Sequence, residues 1–137
     1  MKNKTPLLLI EQVVLLLVFV FAAAVCLRAF VWADIRAQEN AERDRAMIEV
    51  QNAVEVAKAV RGDWMRAAAI YGGAGNEEGW SIRYDDEWDP GPKNQPFVLR
   101  VTDIESGEPL LGLALVQLWK GEVLLLETEA AWQEVTP

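Results

Sequence analysis

The sequence predicts an α+β protein: a long N-terminal helix, half transmembrane and half amphipathic, packed on a small, mostly antiparallel four-stranded sheet. Three observations predict it. Residues Leu7–Ala33 are apolar except for Glu11, Gln12 and Arg28. No Pro or Gly occurs from Leu7 to Arg61, so nothing local ends a helix at a membrane boundary. After Gly72 and Gly73, short alternating apolar runs separated by turn residues replace the helical period.

The apolar run comes first. As a helix it rises roughly 40 Å, enough to cross a hydrocarbon core of about 30 Å with some tilt. Lys2 and Lys4 precede it, whereas acidic and basic residues are mixed after it, so the N-terminus is expected in the cytoplasm and the C-terminus outside. A signal peptide cut near Ala22–Ala24 leaves a mature chain that is still apolar to Ala33, unlike ordinary signal peptides. Acylation at Cys26 after a lipoprotein-type cut needs a small residue where Val25 stands. Cys26 therefore reads as a small apolar residue of a retained anchor.

Beyond the membrane, residues 34–70 read as an amphipathic helical extension. Met47, Val50, Val54 and Ala57 recur at spacings of three and four, flanked by Ala46, Ala53 and Val60. Glu42, Arg45, Glu49, Gln51, Glu55 and Lys58 are assigned to other faces. The Ala-rich stripe lacks the sustained Leu or Ile of a coiled coil, so packing against a sheet in the same chain is expected. Gly62-Asp63 interrupts the pattern, Trp64–Ile70 resumes it for two turns, and residues 71–79 read as a Gly-rich linker.

Residues 80–137 read as a small β domain. Trp80, Ile82 and Tyr84 alternate with polar neighbours, as do Phe97, Leu99 and Val101. After a turn at Ser106–Pro109, apolar runs begin at Leu110 and Val123, joined by Lys120-Gly121 as a β-hairpin. So few residues cannot build a comfortable core alone, which makes the helix the second wall. Of six tryptophans, Trp32 suits the outer membrane interface. Trp80, Trp119 and Trp132 suit the sheet core, and Trp88 suits an exposed contact in an acidic loop.

Composition removes several chemistries. Without His, neither Ser-His-Asp nor Cys-His catalysis nor imidazole-ligated zinc is possible. One Cys excludes an intrachain disulfide. Residues 34–137 hold 10 Lys and Arg against 20 Asp and Glu, a net charge of −10, so nucleic-acid binding is not expected. The loop Asp85–Gly91 is densely acidic, but it lacks the D-x-D-x-D-G spacing, leaving Asp85, Asp86 and Asp89 as weak calcium candidates. No catalytic or cofactor-binding pattern emerges, and the chain is expected not to be an enzyme.

One charge stands out. Glu11 lies four residues into the apolar run, where an ionisable group costs free energy unless it snorkels or meets a cation. The segment Leu7-Leu8-Leu9-Ile10-Glu11, after a short basic leader (residues 1–6) and before an unbroken helix, resembles the N-terminus of bacterial type IV pilins and pseudopilins. The resemblance covers residues 1–61. It implies a pilin-like fold and cleavage by a prepilin peptidase between Pro6 and Leu7. It also implies that the new N-terminus at Leu7 is methylated and that its ammonium is neutralised by Glu11 of a neighbouring subunit. It further implies a cell-membrane protein that joins other pilin-like subunits through residues 7–33, in a type IV pilus, competence or type II secretion-like filament. Pro6 replaces the Gly that this family carries before the cut, and Leu7 replaces Phe or Met. The alternative is a single-pass anchor that does not polymerise and carries an extracytoplasmic binding or sensing domain.

Overall fold

A computed structural model of the 137-residue chain describes residues 4–92 and 94–135, which leaves Lys2 and the first half of the leader-like segment outside the described residues. The chain divides into two compact units between Ala41 and Glu42. Helix α1, Thr5–Val60, runs through both. In the first unit it is exposed throughout the described residues, and its N-terminal part is long and apolar enough to cross a membrane. Pro6 falls in the first turn, where its missing N–H leaves no helical acceptor unpaired.

The second unit begins with the last five turns of α1, which stops where Arg61 and Gly62 turn left-handed (φ 51° and 79°). Asp63 then caps the short helix α2, Trp64–Tyr71, its Oδ1 accepting the Arg66 N–H at 3.1 Å. Five antiparallel strands follow in chain order as a meander: β1 (Ala74–Gly75), β2 (Gly79–Tyr84), β3 (Phe97–Ile104), β4 (Leu111–Lys120) and β5 (Val123–Gln133). The last two form a hairpin across the two-residue turn Gly121-Glu122, and one extra residue, Leu125, bulges from β5.

One sheet face packs on the helices. Trp80, Ile82, Phe97, Leu99, Val101, Val116 and Leu118 meet a helix surface made mostly of small residues, with Ala46, Ala53 and Ala57 fully covered. Alanines along that line let the backbone of α1 approach closely, so the large side chains come from the sheet. The end of β4 is tied back to the helix by Lys120 Nζ and Glu42 Oε2 at 2.8 Å.

Three expectations change. There are five strands rather than four, because the Gly-rich stretch expected as a linker holds β1, which pairs with Trp80 and Ser81. Gly75 serves close approach there: a Cβ would lie 2.1 Å from the Trp64 carbonyl oxygen. The buried stripe of α1 is also rotated from the expected one. Glu49 and Val56 are inside, while Met47 lies at the margin, 43% exposed. Finally, Trp119 lies on the outer sheet face, and its place in the core is taken by Trp64, packed edge-to-face on Trp132 at 5.9 Å.

Candidate assembly site

Leu7 and Glu11 are one turn apart and therefore on the same side of α1. Leu7 is 71% exposed, and Glu11 is exposed with no ion pair or hydrogen bond among the described residues. Around Glu11, Leu8, Val14, Leu15 and Val18 continue an apolar surface with nothing inside this unit to cover it. The carboxylate is thus presented to whatever packs against the helix. The next charge along is Arg28, seventeen residues on, a rise of about 26 Å. Glu11 and Arg28 therefore bracket a span close to a hydrocarbon thickness, and each can extend toward a different interface. Beyond it, the Arg36 guanidinium lies 5.2 Å from the Trp32 ring centre, an exposed cation–π pair suited to the headgroup level. Cys26 is a free, exposed thiol on the same helix.

The acidic loop organises itself rather than a visible cation cage. Asp85 Oδ1 accepts the backbone N–H groups of Glu87 and Asp89, both at 2.9 Å. That turn places Trp88 in the left-handed region (φ 66°) and folds its ring back onto Phe97, stacked at 4.1 Å. Trp88 is therefore half-buried against the core, not the exposed contact expected. Among the described residues no group of three or more His, Cys, Asp or Glu side chains is gathered so as to hold a metal ion, and Asp85, Asp86 and Asp89 are not brought together as one.

Next to that loop, a groove of about 760 Å³ opens between α1 and β2, lined by Asn52, Tyr71, Trp80, Tyr84 and Trp88. At its floor Arg45 Nη2 meets Glu49 Oε1 at 2.9 Å, with Glu49 only 8% exposed. Burial raises the Tyr84 hydroxyl above the ordinary tyrosine range, and the charge of Glu49 with a hydrogen bond to it acts in the same direction; Arg45 opposes them. Hydropathy alone does not find this trio, because it sets Glu49 on an outer face. Its signal was present: Glu49 falls at the three- and four-residue spacing of Ala46, Ala53 and Val56, with Arg45 one turn before it.

A pH dependence follows. Unfolded tyrosine ionises near pH ~10, while folded Tyr84 holds its proton longer. Its contribution to stability is complete below pH ~10 and is lost as pH rises further, by about 1.4 kcal/mol per pH unit. Urea midpoints of the full chain, measured on both sides of that value, should fall more steeply than those of Tyr84→Phe. Equal slopes would remove Tyr84 from the account.

By architecture, this is an α+β protein with, among the described residues, one N-terminal helix long and apolar enough to span a membrane, followed by a five-stranded antiparallel sheet. No protein-family model, curated protein or solved structure matches the chain.

Proposed function

We propose that the protein is a non-enzymatic structural subunit of a bacterial filament, a minor pilin or pseudopilin, inserted in the cell membrane and then assembled through its N-terminal helix. The observation that carries this reading is Glu11, a carboxylate without a partner among the described residues, on an exposed apolar helix one turn from Leu7. Cleavage before Leu7 frees an ammonium at the end of that helix. A neighbouring Glu11 then supplies its counter-charge, which offsets the cost of holding either ion in lipid and sets the axial register of otherwise featureless rods. The continuation of α1 into the folded unit, without Pro or Gly, supports the same reading.

Cys26 is a built-in probe of this packing. In membranes of a host with an active prepilin peptidase, the mature chain should begin at Leu7 by mass and N-terminal sequencing. A short thiol cross-linker should then join copies through Cys26. A chain that begins at Met1 and stays monomeric sinks the proposal. It leaves the anchor reading, which the Glu11-to-Arg28 span favours because both charges can snorkel outward without any partner.

A further inference from the structure

The two edges of the sheet differ. The β2 edge is covered by β1 and by the loop, through the Tyr84–Pro90 bridge and the Gly91 N–H donated to the Arg83 carbonyl. At the other end, β5 is the longest strand and has no strand beyond it among the described residues. Such an edge offers a row of backbone donors and acceptors to any extended chain. Alongside it lies a groove of about 670 Å³ between α1 and β5, lined by the apolar Met47, Val50 and Val54 and the polar Gln51, Asn52 and Glu55 of the helix, and by residues 126–129 of the strand, whose two glutamates stand at its rim. The sheet stops one strand short of covering this side of the helix. That explains why Met47 and Val54 keep apolar surface in contact with water.

Inward and outward positions on β5 follow from its register with β4. Leu126, Thr128 and Ala130 oppose Leu118, Val116 and Ala114 on the helix side, so Glu127 and Glu129 face out. We propose that β5 accepts a sixth strand from another protein, an extended segment whose apolar and basic side chains alternate. The apolar set fills the groove beside Met47 and Val54, and the basic set pairs with Glu127 and Glu129. In the registers centred on residues 127–129, charge argues against a second copy of this chain. Antiparallel pairing of β5 with itself about Thr128 sets Glu127 opposite Glu129, and pairing about either glutamate sets it opposite its own counterpart. Like charges directly opposite destabilise a ladder, whereas a basic strand converts each into an attraction. The net charge of −10 over residues 34–137 adds to the repulsion. None of this depends on Glu11 or on filament formation.

The test uses the full chain in uncharged detergent and a fluorescein-labelled peptide of alternating lysine and valine. One control peptide has the same residues in two blocks, and another alternates glutamate and valine. By anisotropy, the alternating basic peptide should bind at least about tenfold more tightly than either control, a difference of roughly 1.4 kcal/mol. It should also slow amide exchange in β5 without slowing it in β2. The double variant Glu127→Lys/Glu129→Lys, both exposed positions, should invert the preference toward the acidic peptide. Equal affinity for alternating and blocked peptides, protection away from β5, or an unchanged preference in the variant each overturns the proposal. So does a peptide-free dimer with β5 already protected, which assigns the edge to a second copy.

Discussion

Gly112→Ala is expected to cost the folded unit about 2 kcal/mol, and a larger residue more, because the site has no room at all. Gly112 stands on the inner face of β4 opposite Trp132. A Cβ there would lie 2.1 Å from Trp132 Cε2 and 2.2 Å from Nε1. The indole cannot retreat easily: it is 7% exposed and held edge-to-face by Trp64, itself 2% exposed. Neither buried indole N–H has a hydrogen-bond partner among the described residues, so the pair is held by shape and ring electrostatics rather than by polar anchoring. For a unit of this size the loss should lower the thermal midpoint by roughly 10 °C, read by tryptophan fluorescence of the full chain in detergent. A double-mutant cycle with Trp132→Phe locates the cause. The alanine should cost less beside the smaller ring; an unchanged cost would place the strain elsewhere.

Glu11→Ala is expected to leave membrane insertion intact and to abolish assembly. Removing one member of a desolvated ion pair strands the other, at about 3–5 kcal/mol, which is more than two orders of magnitude in the incorporation equilibrium. Insertion is read by alkaline carbonate extraction, and assembly by the fraction cross-linked through Cys26. Glu11→Gln separates charge from size: it should fail almost as completely, since an amide hydrogen-bonds an ammonium but does not neutralise it. Cross-linking at the unaltered level in both variants would transfer Glu11 to the role of a snorkelling anchor residue. The two outcomes are distinguishable because insertion is an internal control in each.

Much of this architecture is legible in the sequence alone. The apolar rod is written in consecutive residues, and the absence of Pro and Gly from Leu7 to Arg61 predicts the helix that continues to Val60. Alternation in Trp80–Tyr84 and in Phe97–Val101 predicts β2 and β3, and Lys120-Gly121 marks the hairpin. Glu11 could be singled out because one carboxylate among leucines is a local anomaly. The errors share a different character. Hydropathy ranks methionine above glutamate and so predicts Met47 within the buried stripe and Glu49 on an outer face; Arg45 and Tyr84 reverse the order by giving Glu49 a cation and a hydroxyl at depth. The acidic neighbours of Trp88 predict a solvent-exposed ring, yet the Asp85 turn folds it over Phe97.

Element type, membrane-spanning capacity and the excluded chemistries all rest on short-range order: hydropathy, periodicity and which residues are absent. Burial within an element rests on partners remote in the chain. Gly75 is small because of Trp64, Gly112 because of Trp132, and the glutamates of β5 face outward because of their register with β4. The open edge of β5 belongs to the second kind as well, since no pattern along a strand states whether another strand will lie beside it. Local rules act through the backbone of neighbouring residues and can be read in one dimension. Close approach, charge pairing at depth and an unfilled edge are distances in three, and they exist only once the sheet has closed on the helix.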